Sequence, residues 1–239
     1  MSLRKAWRLL LGFLLLVGVV GCQDPTIARI EKLGGTYRRY KGVVTVDLAG
    51  TQATDADLEH LKGLTIHMLL LDGTQVTDAG LEHIKGMTSL EMLGLTNTKV
   101  TDAGLEHLKG LTNLEDLFLE GTHVTDAGLE HLRPMTKLKA LSLDSTQVTD
   151  VGLRHLKGLT SLRRLMLNNT RVTDAGLEHL KGLTNFEWLY LDDTQVTDAG
   201  LEHLSRLTKL EQLGLKGTKV TDAGVSELKK ALPDCDISH

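Results

Sequence analysis

From Thr51 onward the chain repeats itself. Lines beginning at Thr51, Thr74, Thr98, Thr122, Thr146, Thr170, Thr194 and Thr218 align in register, with a first step of 23 residues and later steps of 24. A fixed period of this size restricts the chain to a solenoid, because one such unit cannot bury its apolar face alone. Residues 98–121, TKVTDAGLEHLKGLTNLEDLFLEG, show what one line contains. Around Leu114, Leu117, Leu119, Thr122 and Val124 the pattern is L-x-x-L-x-L-x-x-T-x-V. Leu117 and Leu119 are two apart, so both face one side of a short strand. Thr125-Asp126 follow, a pair able to cap a helix N-terminus by accepting backbone N–H bonds. Leu129 and Leu132 then share one helical face. A Lys-Gly pair such as Lys109-Gly110 stops the helix, and Pro134 does so in the fourth line.

These residues resemble the leucine-rich repeat family over roughly residues 43–237, in eight copies of the TDAGLxxL type. The resemblance implies an α/β solenoid, with a curved parallel sheet on the concave face and short helices on the convex face. Spacing supports the bend, since strands sit about 4.8 Å apart and helices need about 8–10 Å. The family usually has Asn or Cys where this chain has Thr122 and its equivalents. A threonine ladder is expected to do similar work, because each hydroxyl donates one bond and accepts others. Aromatic residues make up 3% of the chain, so leucine builds the core, and two cysteines cannot make a disulfide scaffold.

Both ends need lids. Ile27, Ile30 and Leu33 fall on one face of a helix over Thr26–Leu33, and Val43, Val46 and Leu48 fit the strand template. At the far end Pro233 breaks the last helix, and Cys235 and Ile237 read as a truncated closing strand. Cys235 reads as a small buried apolar residue. The opening segment, MSLRKAWRLLLGFLLLVGVVGC, places Arg4, Lys5 and Arg8 before an apolar run of 12 residues, Leu9 to Val20. That run is too short to span a bilayer, which needs about 20 residues, but it suits a secretory signal. Val19-Val20-Gly21-Cys22 resembles the lipobox of bacterial lipoproteins. The resemblance implies that Cys22 becomes the acylated first residue, with Gln23 leaning toward the outer membrane. The chain thus divides into a signal peptide (1–21), an anchor and capping segment (22–42) and the solenoid with its truncated cap (43–239). The expected address is the bacterial cell envelope, lipid-anchored at a periplasmic or outer-membrane face. Without the signal, 24 basic and 31 acidic residues leave a net charge of −7. Such a body has no electrostatic reason to lie flat on anionic lipid, and nucleic acid is not an expected partner.

No catalytic spacing is present: no G-x-S-x-G, phosphate loop or H-E-x-x-H. The chain therefore reads as a non-enzyme that needs no cofactor or metal. His60, His83, His107, His131, His155, His179 and His203 recur in register, but no helix carries a second His at i+4 to chelate with them. They read as copied residues facing solvent or the helix flank. Asp72, Glu120, Asp144 and Asp192 share the position after the strand and read as a solvated acidic rim. Arg163, Arg164 and Arg171 form a local basic patch too small for a nucleic-acid footprint.

Comparison of the copies locates a candidate binding site. Core positions recur, whereas strand positions pointing away from the core vary. The residue before the second Leu runs Thr45, Met68, Met92, Asp116, Ala140, Arg164, Trp188, Gln212. The residue after it runs Asp47, Leu70, Gly94, Phe118, Ser142, Met166, Tyr190, Gly214. Strand alternation puts both sets on the inner face, which is expected to be exposed. Phe118, Trp188 and Tyr190 are three of the six aromatics beyond Cys22, and Met92, Arg164 and Met166 join them. Such residues are enriched where proteins bind. The expectation is a monomeric protein-binding solenoid whose concave face recognises a protein partner. Rival readings are a self-associating structural protein of the envelope, a small-ligand receptor and an enzyme accessory subunit.

Overall fold

The computed structural model describes residues 24–239. In chain order the elements are α1 (Pro25–Lys32), β1 (Thr36–Tyr40), β2 (Val43–Asp47), α2 (Asp55–Glu59), β3 (Met68–Leu70), α3 (Asp78–Ile84), β4 (Met92–Gly94), α4 (Asp102–Leu108) and β5 (Asp116–Phe118). There follow α5 (Asp126–Leu129), β6 (Ala140–Ser142), α6 (Asp150–Leu153), β7 (Arg164–Met166), α7 (Asp174–Glu178), β8 (Trp188–Tyr190), α8 (Asp198–Leu201), β9 (Gln212–Gly214), α9 (Asp222–Ala231) and β10 (Asp236–Ser238). The strands form one sheet in sequence order, parallel from β2 to β10. In register, Leu69, Leu93, Leu117, Leu141, Leu165, Leu189 and Leu213 form one buried row between sheet and helices. A fully buried leucine contributes about 2 kcal/mol relative to exposure, and only stacking buries it.

One strand departs from the parallel expectation. β1 pairs antiparallel with β2, from Thr36↔Asp47 to Tyr40↔Val43. The turn is Lys41-Gly42, with φ of 48° and 87°. Positive φ at both central residues matches the right-handed twist of the flanking strands, so a two-residue hairpin closes the sheet edge. α1 covers the same end, with Ile30 buried.

The Thr-Asp-x-Gly unit does more than cap a helix. From Thr77 to Thr197 each threonine caps its own helix weakly, as Thr149 Oγ1 accepts from the Val151 amide at 3.2 Å. The aspartate reaches forward one copy. Asp150 accepts from the Thr173 amide (2.8 Å) and hydroxyl (2.7 Å), and Asp55, Asp78, Asp102, Asp126, Asp174 and Asp198 do likewise. The glycine leaves room for this: a Cβ on Gly152 would lie 2.4 Å from Asp126 Oδ1.

The threonines of the strand-end turn do the work expected of them, whereas two other local expectations are corrected. Each hydroxyl donates within its own turn, as Thr122 does to the Leu119 carbonyl at 2.6 Å, because buried carbonyls need a donor. The Lys-Gly pairs do not stop helices through a left-handed glycine except at Gly63, with φ of 83°. Elsewhere the helix closes by a tight turn, for example the Leu111 amide to the Leu108 carbonyl at 2.8 Å. Pro134 and Arg206 therefore suit the same position. Three of the four acidic residues after the strands are not a solvated rim: Asp72 accepts from the Thr96 amide, Asp144 from that of Asn168 and Asp192 from that of Lys216.

Candidate functional site

The sheet has one open face, because the helices cover the other. On it the side chain before each central leucine and the one after it form two rows, in the register Arg164↔Trp188 and Met166↔Tyr190. All six expected residues stand in these rows. Phe118, Arg164, Trp188 and Tyr190 are half-buried, whereas Met92 and Met166 are each only 7% exposed. The expectation that all six are exposed is corrected for the two methionines. Strand neighbours about 4.8 Å away flank each long side chain on both sides, Met92 lying between Met68 and Asp116.

Arg164 organises the patch. Its guanidinium reaches across Ala140 to Asp116, two copies away, at 3.2 Å. Ala140, small enough to pass beneath, is 2% exposed. The same guanidinium lies 5.6 Å from the Trp188 ring centroid, within cation–π range. Burial pushes the Asp116 carboxyl above its ordinary range, against the pull of Arg164. The Trp188 Nε1 is covered and has no acceptor among the described residues. Tyr190 donates its hydroxyl to Gln212 Oε1. Met92 and Phe118 lie on the near side of this group, joined to it through Asp116 rather than by one continuous aromatic surface.

The Arg164–Asp116 pair was missed from sequence. Its signal was available: opposite charges at one register position, two copies apart, with alanine between them. Below the strand starts, Lys139 pairs with Glu115 (2.6 Å) and Arg163 with Glu187 (2.9 Å), so two members of the basic patch, Arg163 and Arg164, are ion-paired.

The recurring histidines sit on the helix flank. The Nδ1 atoms of His155 and His179 are covered and have no hydrogen-bond partner among the described residues. Burial lowers the pKa of His155, with help from Arg154 and Arg133. Among the described residues no three of His, Cys, Asp or Glu cluster in a way that could hold a metal ion. None of the described helices is long and apolar enough to cross a membrane. Cys235 is 1% exposed, and burial pushes its thiol up to about 11, so it packs as an apolar residue. Cys22, the expected lipidation site, lies outside the described residues.

A leucine-rich repeat family model matches residues 136–196. Among solved structures, the chain is similar to an internalin C2 from Listeria monocytogenes, at 25% identity and a TM-score of 0.68, over 90% of this chain and 93% of that one. It is also similar in fold to a leucine-rich repeat protein of Leptospira interrogans, at 18% identity and a TM-score of 0.57, over 77% of this chain and 50% of that one. No curated protein matches it in sequence.

Proposed function

This chain is a leucine-rich repeat protein, and from that premise we propose that it is a non-enzymatic binding module of the bacterial envelope, held by lipid at Cys22 and recognising a protein through its open sheet face. Leucine-rich repeat proteins generally bind other proteins. The observation that carries the finer reading is the group formed by Arg164, Trp188 and Tyr190. A chain with few aromatics places two of them side by side on the surface the fold leaves open, under an arginine that is already oriented. Tryptophan, tyrosine and arginine are the residues most enriched among binding hot spots. Held rotamers also reduce the ordering cost of association.

Crosslinking tests this reading. A photoreactive residue replacing Tyr190, in cells of the native host, is expected to give one discrete protein adduct. The same group at Val151, on the helix side and 50% exposed, is expected to give none. With the partner in hand, Trp188→Ala is expected to weaken binding by about 2 kcal/mol, roughly thirtyfold. Circular dichroism controls for folding, because the ring is half-covered. An adduct from Val151 alone, or unchanged affinity in Trp188→Ala, would move the site off this face. An adduct whose second member is this same chain would favour the self-associating reading.

A further inference from the structure

Charge is divided along the solenoid. Residues 24–42 carry five basic and two acidic residues, net +3, whereas residues 43–239 carry 19 basic and 29 acidic, net −10. Much of the positive charge sits on the hairpin that closes the first end: Arg38, Arg39 and Lys41. Tyr40 and Val43, partners at its last rung, are 63% and 39% exposed. They are two of only three large apolar residues exposed to this degree among the described residues. The Lys41 ammonium lies 5.4 Å from the Tyr40 ring centroid. An aromatic ring among cations is the composition that settles at a headgroup interface, where the ring is half-immersed and the charges meet lipid phosphates.

Position agrees with composition. α1 begins beside the end of α2, where Thr26 Oγ1 donates to the His60 carbonyl. The hairpin tip lies beside the start of β3, where the Val44 amide donates to His67 Nδ1. Both contacts fall on the edge where each helix hands over to the next strand. The start of α1 and the hairpin tip therefore share one edge of one end. Cys22 precedes Asp24 by two residues, about 7 Å of extended chain.

We propose that the β1–β2 hairpin tip, Arg39-Tyr40-Lys41 with Val43, is a second membrane contact that docks on anionic phospholipid beside the lipid anchor and stands the solenoid on its first end. The proposal rests on the Cys22 anchor for proximity to the bilayer, and on the hairpin's own chemistry for its choice of lipid. Trp188 would then lie seven strand spacings away, about 34 Å from the hairpin strand. That exceeds the Debye length of about 8 Å at physiological salt, so the protein-binding face clears the field of the headgroups.

The test uses the full chain, purified as the processed membrane form and reconstituted into vesicles of phosphatidylcholine alone or with one-third phosphatidylglycerol. Hydrogen–deuterium exchange is read over residues 36–43, and flotation is read separately. Protection of the hairpin by about tenfold in anionic vesicles, absent in neutral ones and removed by Arg39→Glu with Lys41→Glu, is the expected result. The variant should still float, since the acyl chains hold it. Equal exchange in both vesicle types, or protection that survives the double substitution, would overturn the proposal. Failure to float on neutral vesicles would refute the Cys22 anchor instead. In that case exchange in the presence of anionic vesicles still decides the hairpin, with protection supporting the contact and its absence overturning it.

Discussion

Asp144 shows how one carboxylate can be held at a cost. Burial pushes its pKa up to about 6 against an ordinary 3.8, and the negative neighbours Glu120 and Asp192 add to the rise. Its bonds to the Asn168 amide (2.7 Å) and side chain (3.2 Å) only partly offset this. Because the folded pKa is raised, the sign is destabilising as pH rises. Below about pH 4 the group is protonated in both states and costs nothing. Between about pH 4 and pH 6 the unfolded chain releases its proton first, and stability falls. The next copy shows the remedy, since Asn168 Oδ1 accepts from the Asp192 amide at 2.8 Å without any charge. Asp144→Asn is therefore expected to gain about 1–2 kcal/mol at pH 7, less than the full two-unit shift because the site is partly wet. The gain should vanish near pH 4 when urea unfolding is compared at the two values. A loss at pH 7 would mean that the charged bond to Asn168 outweighs burial.

At the scale of the element, the forward bonds from aspartate to threonine tie each helix start to the next, and both ends of the series need substitutes. Thr54 has no copy before it to send an aspartate. Asp57 stands where the following copies have Gly80, Gly104 and their equivalents, and its carboxylate takes the Thr54 amide and hydroxyl at 2.8 and 2.9 Å. Arg29 of α1 clamps the same carboxylate at 2.8 Å. Burial alone would raise the Asp57 carboxyl, but the Thr54 bonds and Arg29 together hold it below its ordinary range. That stability is present above the ordinary pKa and is lost as pH falls through the lowered one. At the other end Asp222, the last aspartate of the series described, is met by His239, whose Nε2 sits 2.8 Å from its Oδ1. Asp57→Gly, which installs the residue of the other copies, is expected to destabilise by about 2 kcal/mol, because it removes the charged acceptor shared by the Thr54 amide, the Thr54 hydroxyl and Arg29. Thermal unfolding at pH 7 measures this, and an unchanged melting temperature would show that the clamp contributes nothing.

At the scale of the whole molecule, stability is a sum of copies and of the contacts between neighbours. The leucine rows, the aspartate–threonine bonds and the strand register all advance by one period, so removing one period keeps each of them intact. Deleting residues 122–145 is expected to leave a cooperative fold, with Asp102 meeting Thr149 and Leu117 meeting Leu165. The denaturant m-value should fall by about one-tenth, in proportion to the surface lost. Two separate transitions in place of one would show that the removed copy couples two independent halves. The patch would change as well, because Asp116 and Arg164 would become strand neighbours instead of spanning Ala140.

The period, the buried leucine rows, the parallel stacking and the short helices were legible in the sequence, because side-chain periodicity depends only on strand and helix geometry. So was the pair of rows on the open face that holds Phe118, Trp188 and Tyr190. What required the tertiary structure were the relations between copies. Asp126 faces Thr149 and Gly152 only after 24-residue units stack, so within one copy the aspartate reads only as a local cap. The covering of Met92 and Met166 depends on neighbours in other copies, and the same holds for the reach of Arg164 over Ala140 to Asp116. The β1 hairpin was readable in principle from Tyr40-Lys41-Gly42, but its consequence was not. Only the folded end places those cations and the exposed ring on the same edge as the start of α1. A sequence pattern fixes which way a side chain points within its own element, whereas what it meets there is set by packing distances between elements far apart in the chain.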